Sequence, residues 1–266
     1  MHTDWQALEQ IDADSWEALC CAVPPEIAAT LQLSVQRDGS VVSCQCLAAD
    51  APLGNRSIAL GLAEPATPET VRQLTARFVG SGLKNFALQI SPHARPAQLE
   101  EWLRDAGLVV RGHWVKLVRD ACPVAPSPAG IAVQLVGTDD KTRFGEVSAQ
   151  GFGRPPIIAH WMSATVGFPR WRHYLAFIDG QPAGAAAMYV DQGYAWLGIG
   201  STLPEFRQRG VQRALIARRL SDGLAQGVRC FISETESHNV SCRNLMQAGF
   251  RIAYERPNYG IPLPAG

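Results

Sequence analysis

The chain has 266 residues, 47% of them apolar, and its 24 Lys plus Arg balance 24 Asp plus Glu. That length and apolar share exclude a disordered chain and set two folding units as the prior. Balanced charge leaves no basic field for nucleic acid or an anionic membrane, no eighteen apolar residues run together, and the opening MHTDWQALEQ lacks the layout of a secretion signal.

A soluble, cytoplasmic protein is expected. Its seven cysteines include no C-x-x-C pair and read as reduced thiols. His113, His160 and His173 stand singly among apolar neighbours, as packed or surface histidines do, so no metal is expected.

In chain order, a strand over 56–63 and a helix over 70–79 flank Glu64-Pro65-Ala66-Thr67-Pro68-Glu69. The segment 82–88 reads as a further strand, and a helix over 96–106 closes on Gly107-Leu108. The stretch 123–130 is too rich in proline for helix or central strand and reads as an extended linker. Beyond it come a strand over 131–136, helices over 139–152 and 156–165, and strands over 174–178 and 183–190. The last two are joined by Asp179-Gly180, a hairpin signal. A turn over 191–193 leads into a strand over 194–202, then a basic turn and a helix with Leu215, Ile216, Leu220 and Leu224 on one face. A short strand over 228–232 precedes a helix from about 240, which Asn239 is placed to cap and Gly249 to end. The first half echoes the second: 82–88 is patterned like 227–233, and each late helix closes on glycine plus an apolar residue.

The basic turn is an anion trap. A helix beginning there leaves its first N–H groups unpaired, Gly210 lets backbone approach a ligand, and Arg207, Arg209 and Arg213 surround the same point. A ligand carrying phosphates is expected.

The string Arg207-Gln208-Arg209-Gly210-Val211-Gln212 resembles the Arg/Gln-x-x-Gly-x-Gly/Ala signature of the GNAT superfamily of acetyl-CoA-dependent N-acetyltransferases. Thr202, Pro204 and Glu205 before it extend the resemblance. So does the later block of Asn239, Ser241, Asn244, Leu245, Gly249 and Phe250. Gln212 departs from the small residue of the signature, and so either points away or donates its amide to phosphate. The resemblance implies an α/β (α+β) fold of two tandem GNAT-like units, each a mixed, mostly antiparallel twisted sheet flanked by helices. Residues 1–122 would form a degenerate unit without the pyrophosphate loop, since two prolines and two glutamates stand where the loop would be. Residues 123–130 would be the linker and 131–266 the catalytic domain.

For the site, the resemblance implies acetyl-CoA as cofactor. Its pantetheine would pair with backbone over Leu197, Ile199, Ser201 and Thr202, its diphosphate would sit on Arg207 to Arg213, and Asn239, Ser241 and Asn244 would hold its arm or sulfur. An N–H near Gly200 would polarise the acetyl oxygen. Gly198 and Gly200 inside a strand suggest a bulge or the approach of a second chain; the alternative is relief of crowding by Trp161 or Trp196. Glu234 is the first candidate for general base, with Glu236 on the same side and His238 nearby; the alternative is a solvated acidic loop. The tyrosine that many relatives place before the Gly-Phe pair is Leu245 here, leaving Asn244 near the cofactor's end. Tyr254 and Tyr259 read as packing or acceptor-site aromatics.

The expected activity is acetyl transfer to a primary amine of a small molecule or peptide by direct attack on the thioester. The alternative is an acetyl-CoA-binding regulatory or sensor module without turnover. A P-loop is excluded because no Gly-Lys-Ser/Thr follows Gly210. Phe152, Trp161, Phe168 and Trp171 are candidates for an acceptor pocket or for core, and either a monomer or a homodimer fits the chain.

Overall fold

A computed structural model describes residues 4–263. Before residue 56, where the sequence patterns begin, the chain already forms four elements. Helix α1 (Trp5–Cys21) is capped by Asp4, which accepts from the Ala7 amide, and α2 (Pro25–Leu31) starts on a proline, whose missing N–H is needed by no helical partner there. The hairpin of β1 (Leu33–Asp38) and β2 (Val41–Cys46) follows.

Strand β3 (Arg56–Ile58) is shorter than the expected 56–63, because Ala59 and Gly61 take φ values of 68° and 76° and turn the chain out of extended geometry. Next come α3 (Pro68–Gly80), β4 (Ala87–Gln89), α4 (Leu99–Asp105) and β5 (Val109–Asp120). After the proline-rich stretch lie β6 (Ala132–Leu135), α5 (Lys141–Gly151) and α6 (Ile158–Met162), then β7 (Trp171–Ile178), β8 (Gln181–Asp191) and β9 (Tyr194–Thr202). The order ends with α7 (Val211–Ala225), β10 (Cys230–Glu236), α8 (Val240–Gln247) and β11 (Arg251–Gly260). Asp179 and Gly180 carry the two positive φ values, 51° and 76°, that turn β7 tightly into β8. Asn239 caps α8 by accepting from the Cys242 amide at 2.8 Å, and Gly249, at φ 89°, ends it.

Two compact units divide the chain: one runs up to Val115 and resumes at Tyr254, the other is Lys116–Ala253. In the first, the sheet order is β1-β2-β3-β4-β11. The pairs β1/β2, β2/β3 and β4/β11 are antiparallel, while β3 and β4 are parallel neighbours, joined by α3. In the second the order is β5-β10-β9-β8-β7-β6, antiparallel from β6 to β9, with β9 and β10 parallel and joined by α7. Each unit is thus a mixed, mostly antiparallel sheet flanked by helices, the expected architecture.

The cut falls inside β5 rather than in the proline-rich stretch 123–130 where the sequence suggested it, and 131–266 is not one contiguous unit. The cause is pairing and charge at the end of the chain. Asn258 and Tyr259 pair with Gln89 and Leu88 of β4. Fully buried Arg256 donates to Glu9 Oε2 at 2.6 Å and Asp12 Oδ2 at 3.2 Å, and the Tyr254 hydroxyl donates to Glu9 Oε1 at 2.6 Å. The proline-rich stretch is held down as well. Arg119 donates through Nη2 to the Cys122 and Pro123 carbonyls at 2.9 and 2.8 Å. Among the described residues, no helix is long and apolar enough to cross a membrane.

Candidate functional site

The site grows from the end of β9. Its parallel ladder with β10 ends at the pair Ile232↔Trp196, after which Ser233 Oγ donates to the Leu197 carbonyl at 2.9 Å. On its other edge the register with β8 slips: Ala187 faces Gly198, but Ala185 faces Ser201, so β9 holds one extra residue. Ile199 sits inside this bulge at φ 49°, a left-handed conformation that costs a β-branched residue about 1–2 kcal/mol. The two glycines have different reasons. A Cβ on Gly198 would lie 1.8 Å from Trp196 Cη2, so crowding by Trp196 explains it. A Cβ on Gly200 would meet nothing nearer than Arg219 Nη2 at 3.7 Å, and Gly200 faces a cleft.

From Thr202 a short 3-10 turn, Pro204–Phe206, leads to the basic turn. Gln208 and Gly210 both take positive φ, 63° and 86°, and Gly210 starts α7 with no side-chain cap. The first amides of α7 therefore face the cleft side of the turn with no side-chain acceptor, and the helix dipole adds to their pull on an anion. Arg207, Arg209 and Arg213 are exposed around it. The corresponding helix of the first unit, α3, is built the other way. Thr67 Oγ1 accepts from the Thr70 amide at 3.1 Å, and Pro68 and Glu69 fill its first turn.

The α8 face completes the cleft. Gln212 donates through Nε2 to Ser241 Oγ at 2.9 Å and accepts through Oε1 from Asn244 Nδ2 at 2.6 Å. Neither expectation for Gln212 describes it in full: it stays in the cleft wall, but its amide ties α7 to α8 and is spent on Ser241 and Asn244.

A cleft of about 650 Å³ is lined by Gly200, Ser201 and Thr202 of β9, by the turn and helix residues Arg207, Gln208, Gly210, Val211, Gln212 and Arg213, and by Asn239, Ser241 and Asn244. Four expected residues stand outside that lining. Leu197 and Ile199 turn their side chains into the core, where they are 4% and 8% exposed. The Arg209 guanidinium lies over the Phe206 ring at 5.5 Å. Glu234 is drawn toward Lys116, whose Nζ is 3.8 Å from its carboxylate, with side-chain exposures of 6% and 0%. Sequence reasoning missed Gly151, Phe206, Val240 and Gln247 as wall residues and left Phe152, which also lines the cleft, between an acceptor pocket and core. Gln247 was findable, since it lies one helical turn beyond Asn244 on the same face. Gly151 was not, because only the fold brings it to Ser201, whose Oγ lies 2.7 Å from the position of a Gly151 Cβ.

Other candidates are structural. His173 is buried beside Thr165, its ring nitrogen 3.1 Å from the hydroxyl, and burial holds its pKa down at about 3. Trp171 is buried against His173 and Trp161 is buried too, whereas Phe168 is exposed. Tyr254 is committed to Glu9, and Tyr259 is buried in the first unit's apolar cluster.

The donor set fits a diphosphate on an extended tether. Uncapped helix amides and Arg207 and Arg213 supply donors and charge at one end of the cleft. Along the wall, Ser201 Oγ is buried with no hydrogen-bond partner among the described residues. A buried hydroxyl without a partner is costly, and a ligand's amide or carbonyl would satisfy it.

Comparison with known proteins bears on the family and the fold. Residues 146–250 match the family model described as the acetyltransferase (GNAT) family. Among solved structures, the chain is similar to a GCN5-related N-acetyltransferase from Kribbella flavida, with a TM-score of 0.62, 17% identity, and coverage of 91% of this chain and 95% of that one. It is similar to a tandem GNAT protein from the clavulanic acid biosynthesis pathway, solved without AcCoA (TM-score 0.59, 16% identity, 96% and 92% coverage). A GCN5-related N-acetyltransferase from Sphaerobacter thermophilus gives 0.55, 17%, 85% and 83%. At these identities the structural likeness speaks for the fold. No curated protein matches the sequence.

Proposed function

The chain belongs to the GNAT superfamily of acetyltransferases through its segment 146–250, and from that premise we propose that it moves an acetyl group from acetyl-CoA to a primary amine of a small molecule or peptide. The observation that carries this reading is one cleft that joins an uncapped, arginine-flanked helix start to a bulged strand edge. When bound, acetyl-CoA supplies the acetyl group as a thioester, already activated for attack.

The chain's own part is chiefly positioning. The amides at the start of α7, with Arg207 and Arg213, hold the anionic end. Ser201 and the backbone from Gly200 to Thr202 orient the tether, and Asn239, Ser241 and Asn244 bound it from α8. The amine loses a proton as its nitrogen attacks, and we assign that proton to Glu234 by way of water, since its carboxylate stands outside the cleft lining. The Lys116 pair sets the cost, because protonating Glu234 removes its ion pair with that buried ammonium. No tyrosine stands at 245 to protonate the departing sulfur. A thiolate is a tolerable leaving group near neutral pH, so transfer does not depend on one.

A second reading is favoured by Gln212, whose amide is bonded to Ser241 and Asn244 where the family signature has a small residue. It is a sensor that binds acetyl-CoA without turnover. Release of free thiol from acetyl-CoA across a panel of amines separates the two. Saturable, amine-dependent release supports transfer; saturable binding with no amine-dependent release supports the sensor; absence of binding removes both.

A further inference from the structure

Arg219 projects from α7 toward the sheet and is 3% exposed. Its Nε donates to the Leu215 carbonyl at 3.1 Å, and its Nη1 donates to the carbonyls of Ala187 at 3.0 Å and Gly198 at 3.3 Å. Ala187 and Gly198 face each other across β8 and β9 at the step where the register slips. One guanidinium therefore clamps both strands at the edge of the bulge, next to the left-handed Ile199. On its other arm, Nη2 lies 3.7 Å from where a Cβ on Gly200 would be, and Gly200 is the bulge residue that lines the cleft.

The charge is also unusual in its company. Its hydrogen-bond acceptors are backbone carbonyls, and Asp222, one helical turn along, is held by the Tyr174 hydroxyl at 3.0 Å and by Arg218 Nε at 2.9 Å. Burial lowers the Arg219 pKa to about 10, which leaves it a cation at neutral pH. A methionine or leucine would fill a helix-to-sheet interface without desolvating a charge. A cation retained there has its field directed at what stands against Gly200.

We propose that Arg219 is a positioning residue for acetyl transfer: it fixes the bulge of β9 and places a buried positive charge behind Gly200, where the acyl oxygen and the departing sulfur develop negative charge. This rests on the acetyltransferase reading. It also accounts for how the site manages without a tyrosine at 245, since a fixed cation stabilises the thiolate without donating a proton.

The test uses the full chain and the variants Arg219→Met and Arg219→Lys. The readouts are calorimetric titration with coenzyme A, the infrared carbonyl frequency of bound acetyl-CoA labelled with 13C at the carbonyl, and kcat against KM with the best amine. The wild type is expected to lower the carbonyl frequency relative to free acetyl-CoA. Arg219→Met should lose most of that shift and reduce kcat roughly ten- to a hundredfold, with coenzyme A affinity and KM within about threefold. Arg219→Lys, which keeps the charge without the fork, should fall between. A wild-type frequency and kcat in Arg219→Met overturns the proposal, and so does loss of coenzyme A binding in both variants, which would make Arg219 a purely structural clamp. Should Arg219→Met fail to fold, Arg219→Lys decides: a wild-type frequency and kcat there overturns the proposal. A wild type that binds no coenzyme A overturns the acetyltransferase reading instead, and the titration tells the two failures apart.

Discussion

Glu234 and Lys116 pose the sharpest question at the level of single residues. Alternation along 233–238 put Glu234 and Glu236 on one side, but nothing in the sequence indicated that a lysine from β5, more than a hundred positions earlier, would come within 3.8 Å of Glu234. If Glu234 takes the amine's proton, Glu234→Gln lowers kcat/KM at neutral pH and moves the acidic limb of the pH profile; an unmoved limb removes it from the mechanism. The same change removes the buried ion pair with Lys116, and a loss of stability in denaturant unfolding is expected whichever way the kinetics fall. The arginines of the turn behave differently because they are exposed. Replacing Arg207 or Arg213 by alanine should weaken coenzyme A binding roughly tenfold each, with a shallower salt dependence and unchanged stability. Equal affinity in both variants would show that the diphosphate lies elsewhere. The glycines were legible as a pair but not separately. Gly198 answers to Trp196 and Gly200 to the cleft, a distinction that side-chain direction in the bulge makes and composition does not.

Among the elements, the two strand-to-helix junctions carry the contrast. The start of α7 has glycine at its cap and arginines around it, whereas α3 has its first amides engaged by Thr67 and a glutamate in its first turn. Both follow a strand in the same order and cross over to a parallel neighbour, so the difference is chemical rather than topological. Titration of the full chain should therefore give one coenzyme A per molecule. Two would mean that α3 binds despite its cap and its acidic residue. This contrast was readable from Glu64 to Glu69 and from Arg207 to Arg213, because capping and charge are local. The hairpins of β7, β8 and β9 were readable for the same reason. The hairpin of β1 and β2 carries a signal of the same kind, Asp38-Gly39 with Gly39 at φ 56°, whereas helix α1 was hidden because it has polar residues, Glu9 and Asp12, on its buried face. Those residues make sense only once Arg256 is seen opposite them.

For the molecule as a whole, the two units exchange chain in a way that no local pattern records. Residues 116–120 of β5 belong with the second unit, and the chain from Tyr254 onward belongs with the first. A fragment of residues 131–266 would lack the strand that neighbours β10, with Lys116 and Arg119, and would carry Arg256 without Glu9 and Asp12. Removing the carboxylate partners of a buried charge costs roughly 3–5 kcal/mol, a large share of a domain's stability. Such a fragment is expected to show no cooperative thermal transition, whereas the full chain does; a fragment that melts cooperatively and binds coenzyme A would show that the second unit stands alone. The repeat itself was visible, in the matched patterns of 82–88 and 227–233, and it gave the two-unit architecture. The place of the cut was not, since a twelve-residue strand that serves both units has the same alternation as one that serves a single unit.

A crystal structure of the full chain grown with coenzyme A tests the central claim most directly. The account predicts diphosphate density against the amides that follow Gly210, flanked by Arg207 and Arg213, with the tether running along Gly200 to Thr202. Density for the diphosphate at any other place, with the start of α7 left to solvent, would contradict it.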